Sequence, residues 1–439
     1  MLALPDTPAG RQLQWYLATI AAAGEGASWA ADRDRLAPTF DGGPLPNANA
    51  DYVEGWRNLS RRIGPFEVAS IDETADLAIA VTLDAGGKRW RAACEVEAQA
   101  PHCITSIVLQ RLFDFDVSVR EATEADGPAL AEIERRCPIV LSDRSVTFDR
   151  GDDYFAFARL MEDVTVGLGL VEGVPAAINC GAVHNVRIGG EELRVMTAIH
   201  TRILPEHQRK GLWGAVSDVL SQKYPRHTIA GSRGYVSVDN AAMQQGFANM
   251  PDKWPAPALR AQLSCDSLAG PAAGRPATPA DALRIVEILN ACHDGEEQYL
   301  PYTVESLTAR LERAPAQYSW ERVWLSERTV AGVWPAGESI RVIIESNGRR
   351  AESRRGLVLD YGFLPGAEDE LEALLRGWCG WLAGRGLDTL SIFTSALSPG
   401  YDRLRGLASE VEAFDFWTPG IAVPPGASER GLYVDQVYF

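Results

Sequence analysis

The pattern of hydrophobic positions changes its period along the first quarter of the chain. The segment begins with the helix-start sequence Asp6–Pro8, and apolar residues then follow at helical spacing from Leu13 to Ile20. A second short helix is expected over 29–40. From Phe66 the period becomes two, which predicts strands over 77–83, 90–97 and 104–112. Helices before an antiparallel sheet predict an α+β domain over residues 1–113.

The remaining sequence contains two near-copies of one segment. Arg120–Asp126 and Arg275–Asp281 lie 155 positions apart, and 8 of 18 positions are identical when the alignment continues to Cys137 and Cys292. Each copy predicts a short strand followed by a helix that is capped near Thr123 or Thr278. We therefore expect two related mixed α/β domains over 117–265 and 275–439, joined by a linker of small residues over 266–274.

A strand, a polar glycine-containing turn and a helix follow one another within the first copy. The apolar run Leu193–Ile203 leads into the turn 204–214, and a helix carrying Val216 and Leu220 follows. This geometry directs free backbone N–H groups and a helix N-terminus at one point, where an anion is stabilised. Residues 202–228 include five Lys or Arg and only two acidic residues, so this segment is locally positive in a chain whose net charge is −17. The turn is therefore predicted to bind a small anion.

The turn resembles the acyl-CoA signature of the GCN5-related N-acetyltransferases (GNAT). Five residues fall in register with that signature: Ile203, Pro205, Glu206, Gln208 and Gly211. Trp213 stands where the second small residue is expected, and Gly214 lies one step later. The resemblance implies that the pyrophosphate of an acyl-CoA co-substrate, acetyl-CoA or another, is held by Gln208, Arg209, Lys210, Gly211, Leu212, Trp213 and Gly214.

Further family features lie on both sides of this turn. Tyr235–Asn240 is similar to the family's strand that ends in asparagine. The resemblance implies that this strand splays from the preceding one and leaves a wedge between them. The pantetheine arm of the acyl-CoA would enter this wedge and be held by the backbone of Ile203, and Asn240 would lie in the wedge. Phe247 stands where many members have the tyrosine that protonates the leaving thiolate.

The second copy carries the opposite charge at the matching turn. Aligning Ile203 with Phe363 places Glu368, Asp369, Glu370 and Leu371 opposite 208–211. Three carboxylates repel a diphosphate, and Leu371 removes the close backbone approach that Gly211 permits. The fold class is therefore expected to be α+β and mixed α/β, with two GNAT-fold domains of which the second is degenerate. The first 113 residues resemble the NTF2-like (cystatin-like) cone through Pro101–Thr105.

Acyl transfer to an amine requires a group that accepts the amine proton. His200 precedes the turn and titrates near neutrality, which makes it the leading candidate base, although a strand histidine also fits a structural role. Tyr235 and Asp239 on the other wall of the cleft are further catalytic candidates. Glu206 is interpreted as a charge that stabilises the helix N-terminus. The spacing of the histidines and of the seven cysteines predicts no metal site.

These patterns favour an acyl-CoA-dependent N-acyltransferase that acts by direct attack of an amine, from a small molecule or a peptide, in a ternary complex. Trp213 and Phe247 leave open a non-catalytic acyl-CoA-binding or scaffolding protein, and Trp56 with His102 leave open catalysis in the N-terminal cone. The net negative charge argues against nucleic acid and membrane partners and favours a cationic amine. The first residues lack a secretory signal, so a cytoplasmic location is expected. A homodimer is left open.

Overall fold

The N-terminal part of the chain forms its own helices and its own sheet. The structure, a computed structural model, describes residues 2–40, 52–224, 228–247 and 253–438. Within these ranges the first elements are α1 (Pro8–Ala21), α2 (Trp29–Arg33), α3 (Tyr52–Ile63), β1 (Glu67–Thr74), β2 (Ala78–Ala85), β3 (Lys88–Val96) and β4 (Ile104–Arg111). The four strands pair in sequence order and are all antiparallel. The expected order of helices and strands is confirmed, whereas the likeness to the NTF2-like cone stays a prediction.

A buried apolar face holds α1 against this sheet. The Thr7 hydroxyl caps the helix by accepting a hydrogen bond from the Gly10 amide at 3.1 Å. Leu13 and Ile20 are fully buried in the core between the helices and the sheet. Trp56 of α3 is buried in the same core and contacts Tyr16. The helix expected over 29–40 is shorter in the structure, where α2 ends at Arg33. The sequence pattern did not predict α3.

All strands after Arg111 belong to one mixed sheet of 15 strands in the described part of the chain. Along its main path the order is β13-β14-β15-β17-β18-β12-β19-β11-β10-β9-β8-β5. The first group of elements is β5 (Val117–Glu121), α4 (Gly127–Arg136), β6 (Ile139–Val140), β7 (Ser145–Asp149), β8 (Asp163–Val171), β9 (Val174–Ile188), β10 (Glu191–Ile203), α5 (Leu212–Lys223), β11 (Gly231–Ser237), α6 (Ala241–Phe247) and β12 (Ala258–Ser264).

The second group completes the sheet and repeats much of this order. It comprises α7 (Cys265–Leu268), β13 (Arg275–Pro276), α8 (Ala282–His293), α9 (Val304–Arg313), β14 (Val323–Leu325), β15 (Thr329–Trp334), β16 (Arg341–Ser346), β17 (Arg349–Phe363), α10 (Glu368–Ala383), β18 (Thr389–Thr394), α11 (Tyr401–Leu407) and β19 (Glu410–Trp417). The predicted mixed α/β class is confirmed by this sheet. The domain limits 117–265 and 275–439 stay a prediction.

The last strand of each group lies inside the other group. β12 is hydrogen-bonded between β18 and β19, and β19 in turn pairs with β11. The largest apolar core likewise combines residues of both groups, such as Leu130 of α4 and Leu289 of α8. The sheet therefore runs without interruption across the linker at 266–274.

The two near-copies found in the sequence have the same local structure. Asp126 accepts hydrogen bonds from the Thr123 amide at 2.8 Å and from Arg120 at 2.7 Å. Asp281 does the same with the Thr278 amide at 2.8 Å and with Arg275 at 2.6 Å. Both sets are capping boxes that precede a helix, as the sequence predicted.

In the described residues we find no helix with the length and apolar character needed to cross a bilayer.

Candidate functional site

The parallel strands β10 and β11 separate toward their C-terminal ends. They pair at only three positions, where Val195–Thr197 of β10 lies beside Gly231–Arg233 of β11. From Gly234 onward β11 pairs with β19 instead. The ends of β10 and β11 therefore diverge and form the wedge that the GNAT resemblance implied.

A bulge interrupts β10 at this wedge. Ile199 stands opposite Cys180 and Arg202 opposite Ile178, so that His200 and Thr201 together face Asn179 of β9. His200 adopts a φ of +50°, a conformation that is uncommon outside glycine. Bulges of this kind redirect side chains and backbone groups next to functional sites.

The turn between β10 and α5 contains a series of backbone amides without a hydrogen-bond partner in the part of the chain that the structure describes. Gly211 caps α5 in the left-handed conformation with a φ of +93°, and Arg209 also has a positive φ of +61°. The amides of residues 209–213 donate no hydrogen bond to any described residue. Unpartnered N–H groups at a helix N-terminus favour a bound anion.

The side chains of the turn surround these amides with positive charge. Arg209 and Lys210 are exposed. Gln208 donates from Nε2 to the Ile203 carbonyl at 3.1 Å and so closes the turn. Glu206 pairs with Arg136 at 2.8 Å, so its charge is neutralised at the rim. The Trp213 side chain is 49% exposed and lies outside the core.

Two arginines of the N-terminal part lie against the same turn. A Cβ atom added to Gly211 would overlap the guanidinium of Arg111, at the end of β4. A Cβ on Gly214 would stand 3.1 Å from Nη2 of Arg62, at the end of α3. The Nε atom of Arg111 is buried and has no hydrogen-bond partner among the described residues. No motif marked these arginines, because they are distant from the turn in sequence and reach it only through the fold.

His200 lies among arginines rather than beside the other catalytic candidates. Its Nδ1 is 2.9 Å from Nη2 of Arg150, and its ring contacts Phe157 edge-on with a centroid distance of 4.5 Å. Burial, together with the charges of Arg150 and Arg202, holds the pKa of His200 well below its ordinary value. The ring is therefore neutral at pH 7, and in this environment it is a weak proton acceptor.

The other candidates occupy the far wall of the wedge. Tyr235 stacks on Phe416 with a centroid distance of 4.8 Å, and burial raises its pKa. Asp239 is exposed in the turn after β11. Asn240 accepts a hydrogen bond from the Met243 amide at 3.1 Å and so caps α6. The structure thus brings neither Tyr235 nor Asp239 to the cavity that His200 lines.

That cavity has a volume of about 90 Å³ and lies between the two groups of elements. Three arginines line it together with His200, namely Arg150, Arg260 and Arg355. No sequence motif marks these arginines, because they come from three distant segments. Phe157, Trp334 and Leu357 supply apolar walls, and Gln436 of the C-terminal segment also lines the cavity.

The turn after β17 differs from the turn after β10. The first turn of α10 carries Glu368, Asp369 and Glu370. Asp369 contacts Arg403, and Glu370 accepts a hydrogen bond from the Ser326 hydroxyl at 2.9 Å. Leu371 is fully buried. No group of His, Cys, Asp or Glu in the described ranges has the arrangement of a metal site.

No protein-family model and no curated protein matches the sequence. Among solved structures, Saccharomyces cerevisiae N-myristoyltransferase with bound myristoyl-CoA is similar to 74% of this chain and 90% of that chain, with a TM-score of 0.51 and 10% identity. The same enzyme with bound myristoyl-CoA and inhibitors matches 74% and 87% at a TM-score of 0.51 and 11% identity.

A GCN5-related N-acetyltransferase from Sphaerobacter thermophilus matches 70% of this chain and 97% of that chain at 16% identity, with a TM-score of 0.39. At these identities the likeness to N-myristoyltransferase shows a shared fold and nothing about activity.

Proposed function

We propose that the protein is an acyl-CoA-dependent N-acyltransferase whose first group of strands and helices holds the acyl-CoA. The observation that carries this proposal is the set of five amides at residues 209–213 that have no partner among the described residues; they span the start of α5, beside the exposed Arg209 and Lys210. A diphosphate satisfies several such donors at once, and charge-assisted hydrogen bonds are the strong ones. Arg111 and Arg62 add two further cations from the N-terminal part.

The wedge between β10 and β11 supplies the second part of the proposed acyl-CoA site. Strand amides that lack a ladder partner bind the amide-like groups of the pantetheine arm, beginning at Ile203. Asn240 would border this wedge while it also caps α6. In this proposal the two groups of elements are two GNAT-fold domains, the second of which has lost acyl-CoA binding, and the first 113 residues form an NTF2-like domain.

The proposed reaction is direct attack of an amine nitrogen on the thioester carbonyl. A C–N bond forms, the C–S bond breaks, the amine loses one proton, and CoA leaves as a thiolate that is protonated to the thiol. The bulge at 200–201 lies where the carbonyl is expected, so its backbone groups are candidates to stabilise the oxyanion. His200 remains the candidate base. Phe247 offers no proton to the thiolate, so solvent must supply it.

A non-catalytic acyl-CoA-binding protein is the second candidate. Two observations favour it: burial and the neighbouring arginines lower the pKa of His200, and Phe247 packs against Trp417 with a centroid distance of 5.7 Å in place of an acid. Both proposals require binding of CoA thioesters, so binding alone does not separate them.

Calorimetry and thiol release test the proposals together. The full-length protein is titrated with CoA, acetyl-CoA and longer acyl-CoAs, and free thiol is then measured with a panel of amines. Amine-dependent thiol release supports the transferase. Binding without amine-dependent release supports the non-catalytic protein. Absence of binding to every CoA thioester rejects both. The acyl chain that gives the highest kcat/KM identifies the donor.

A further inference from the structure

The cavity beside His200 is lined by three guanidinium groups whose charges are not equally balanced. Arg150 follows β7, Arg260 lies on β12 and Arg355 on β17, so three separate segments bring positive charge to a volume of about 90 Å³. A water molecule takes about 30 Å³ of liquid volume, so the cavity matches a small chemical group. The lining is otherwise mainly apolar, which strengthens electrostatic interactions inside it.

Two of the three arginines have a carboxylate partner. Arg150 is ion-paired with Glu134, and both side chains are buried. Arg260 donates from Nε to Glu412 at 2.7 Å, and Arg144 also contacts Glu412, at 2.8 Å. These carboxylates already neutralise the charge of their partners.

Arg355 has no carboxylate partner within ion-pair distance in the described part of the chain. The residue is 9% exposed, and its one hydrogen bond there runs from Nε to the Ser353 hydroxyl at 3.4 Å. Burial, followed by repulsion from Arg260, lowers the pKa of Arg355 to about 10. The group is therefore still charged at pH 7. Glu412, Glu410 and Asp388 attract this charge from beyond ion-pair distance and oppose the shift. No described carboxylate contacts the guanidinium directly, and a buried charge without a direct partner is costly.

We infer that this cavity binds a carboxylate carried by one of the two reacting molecules, with Arg355 as its main partner. The inference rests on the proposed function and extends it to the substrate class. His200 lines the cavity and also belongs to the bulge at which the thioester carbonyl is expected. A carboxylate here therefore lies next to the reacting atoms. An acceptor of the amino-acid type, with an amine and a carboxylate on one small molecule, satisfies this geometry.

The same carboxylate can arrive on the donor instead, at the end of a dicarboxylic acyl group. Two arms of one kinetic experiment distinguish these sources. In the first arm the full-length protein receives acetyl-CoA with amino acids and with the matching amino acid amides. In the second arm it receives succinyl-CoA or butyryl-CoA with one uncharged amine. A preference of at least about tenfold for the carboxylate is expected in one arm, because charge-assisted bonds are of that strength.

Arg355→Met tests whether this arginine creates the preference. The substitution removes the charge and retains most of the volume, so the carboxylate preference should disappear mainly through KM. Arg355→Lys should restore part of it. Arg354→Met is the matched control, because the neighbouring Arg354 is exposed and pairs with Glu352 at 3.1 Å. A merely structural Arg355 would lower the melting temperature and slow charged and uncharged substrates alike.

Calorimetry with N-acetyl amino acids and their amides gives a readout that does not depend on turnover. Tighter binding of the N-acetyl amino acid, lost in Arg355→Met, supports the inference. Equal affinity for acid and amide, together with no preference in either kinetic arm, overturns it. That result is distinct from failure of the proposed function, in which CoA thioesters themselves do not bind.

Discussion

The turn after β10 and the turn after β17 occupy the same place in two similar strand–helix units. In each unit the parallel strands pair over three positions and then diverge, with Val195–Thr197 on Gly231–Arg233 in one and Arg355–Leu357 on Thr389–Ser391 in the other. The first turn presents open amides and cations, whereas the second presents three carboxylates. The strand geometry is therefore retained while the ligand chemistry of the turn has changed.

The residue at the position of His200 also differs between the two units. The alignment of Ile203 with Phe363 places Asp360 opposite His200. Asp360 accepts hydrogen bonds from Arg310 at 3.0 Å, Tyr302 at 2.8 Å and Tyr318 at 2.7 Å. That carboxylate is fully engaged with protein groups, while His200 borders a cavity. In the proposed function the reacting atoms lie in the first unit, and the second unit supplies Arg355 and apolar walls to the cavity.

Reversing the charge of the first turn should have the largest effect. The double variant Arg209→Glu and Lys210→Glu gives this turn the character of the second one, and we expect CoA affinity to fall by at least about 100-fold, since two charge-assisted contacts are replaced by repulsion. Calorimetry measures the change. The control is Arg349→Glu and Arg350→Glu, another exposed adjacent pair on β17. Equal losses in both variants would show a general charge effect and contradict the diphosphate site.

Gly211→Ala tests the backbone of the first turn separately from its charge. Alanine in the left-handed conformation costs about 1–2 kcal/mol, and its Cβ would overlap Arg111. We expect a lower free energy of unfolding by about that amount and a roughly tenfold loss of CoA affinity. Denaturant unfolding and calorimetry measure the two quantities. Gly246→Ala in α6 is the control, because a Cβ there meets no neighbour. Unchanged affinity in Gly211→Ala would exclude close approach of the ligand.

Arg111→Met tests whether the N-terminal part of the chain contributes to CoA binding at the turn after β10. Loss of one cation beside the open amides should weaken CoA binding by about fivefold to tenfold. Arg89→Met is the control, because Arg89 lies in the same four-stranded sheet and pairs at the surface with Asp114. An increase in affinity would mean that the Arg111 guanidinium covers the amides and competes with the ligand.

The two capping boxes should contribute equally to stability, because their hydrogen bonds are the same in both units. Asp126→Asn and Asp281→Asn should each lower the free energy of unfolding by about 1 kcal/mol, because a capping bond and a partly buried ion pair weaken. The arginine and threonine partners hold the pKa of both carboxyls below the ordinary value. Their stabilisation is therefore complete above about pH 4 and is lost as the pH falls further. Denaturant unfolding against pH measures this, and unequal losses would contradict the equivalence.

The sequence predicted those parts of the fold that depend on local patterns. The cap at Thr123 and its copy at Thr278 are short-range features, and the strand–turn–helix at 193–223 follows from hydrophobic period and glycine. The helix expected over 29–40 ends at Arg33 in the structure, and α3 at Tyr52–Ile63 was not predicted. The exchange of β12 and β19 was not predicted either, because partner choice among similar strands depends on contacts distant in sequence.

The candidate site was predictable only along one segment. The turn 203–214 could be found because its residues are consecutive. Arg111, Arg150 and Arg355 come from different segments, and nothing in their local sequence distinguishes them from other arginines. The structure also changes the interpretation of His200: the residue type alone predicts titration near neutrality, but burial and the neighbouring arginines oppose protonation of the ring.

The position of β12 between β18 and β19 affects how the protein folds during synthesis and how it unfolds. A ribosome that has released only residues up to 265 has produced a strand whose neighbours do not yet exist. Until the final strand emerges, β11 also presents an unsatisfied hydrogen-bonding edge. Neither half can then close by itself, so an expression fragment cut at the linker would be prone to self-association, and the two halves should melt in a single step.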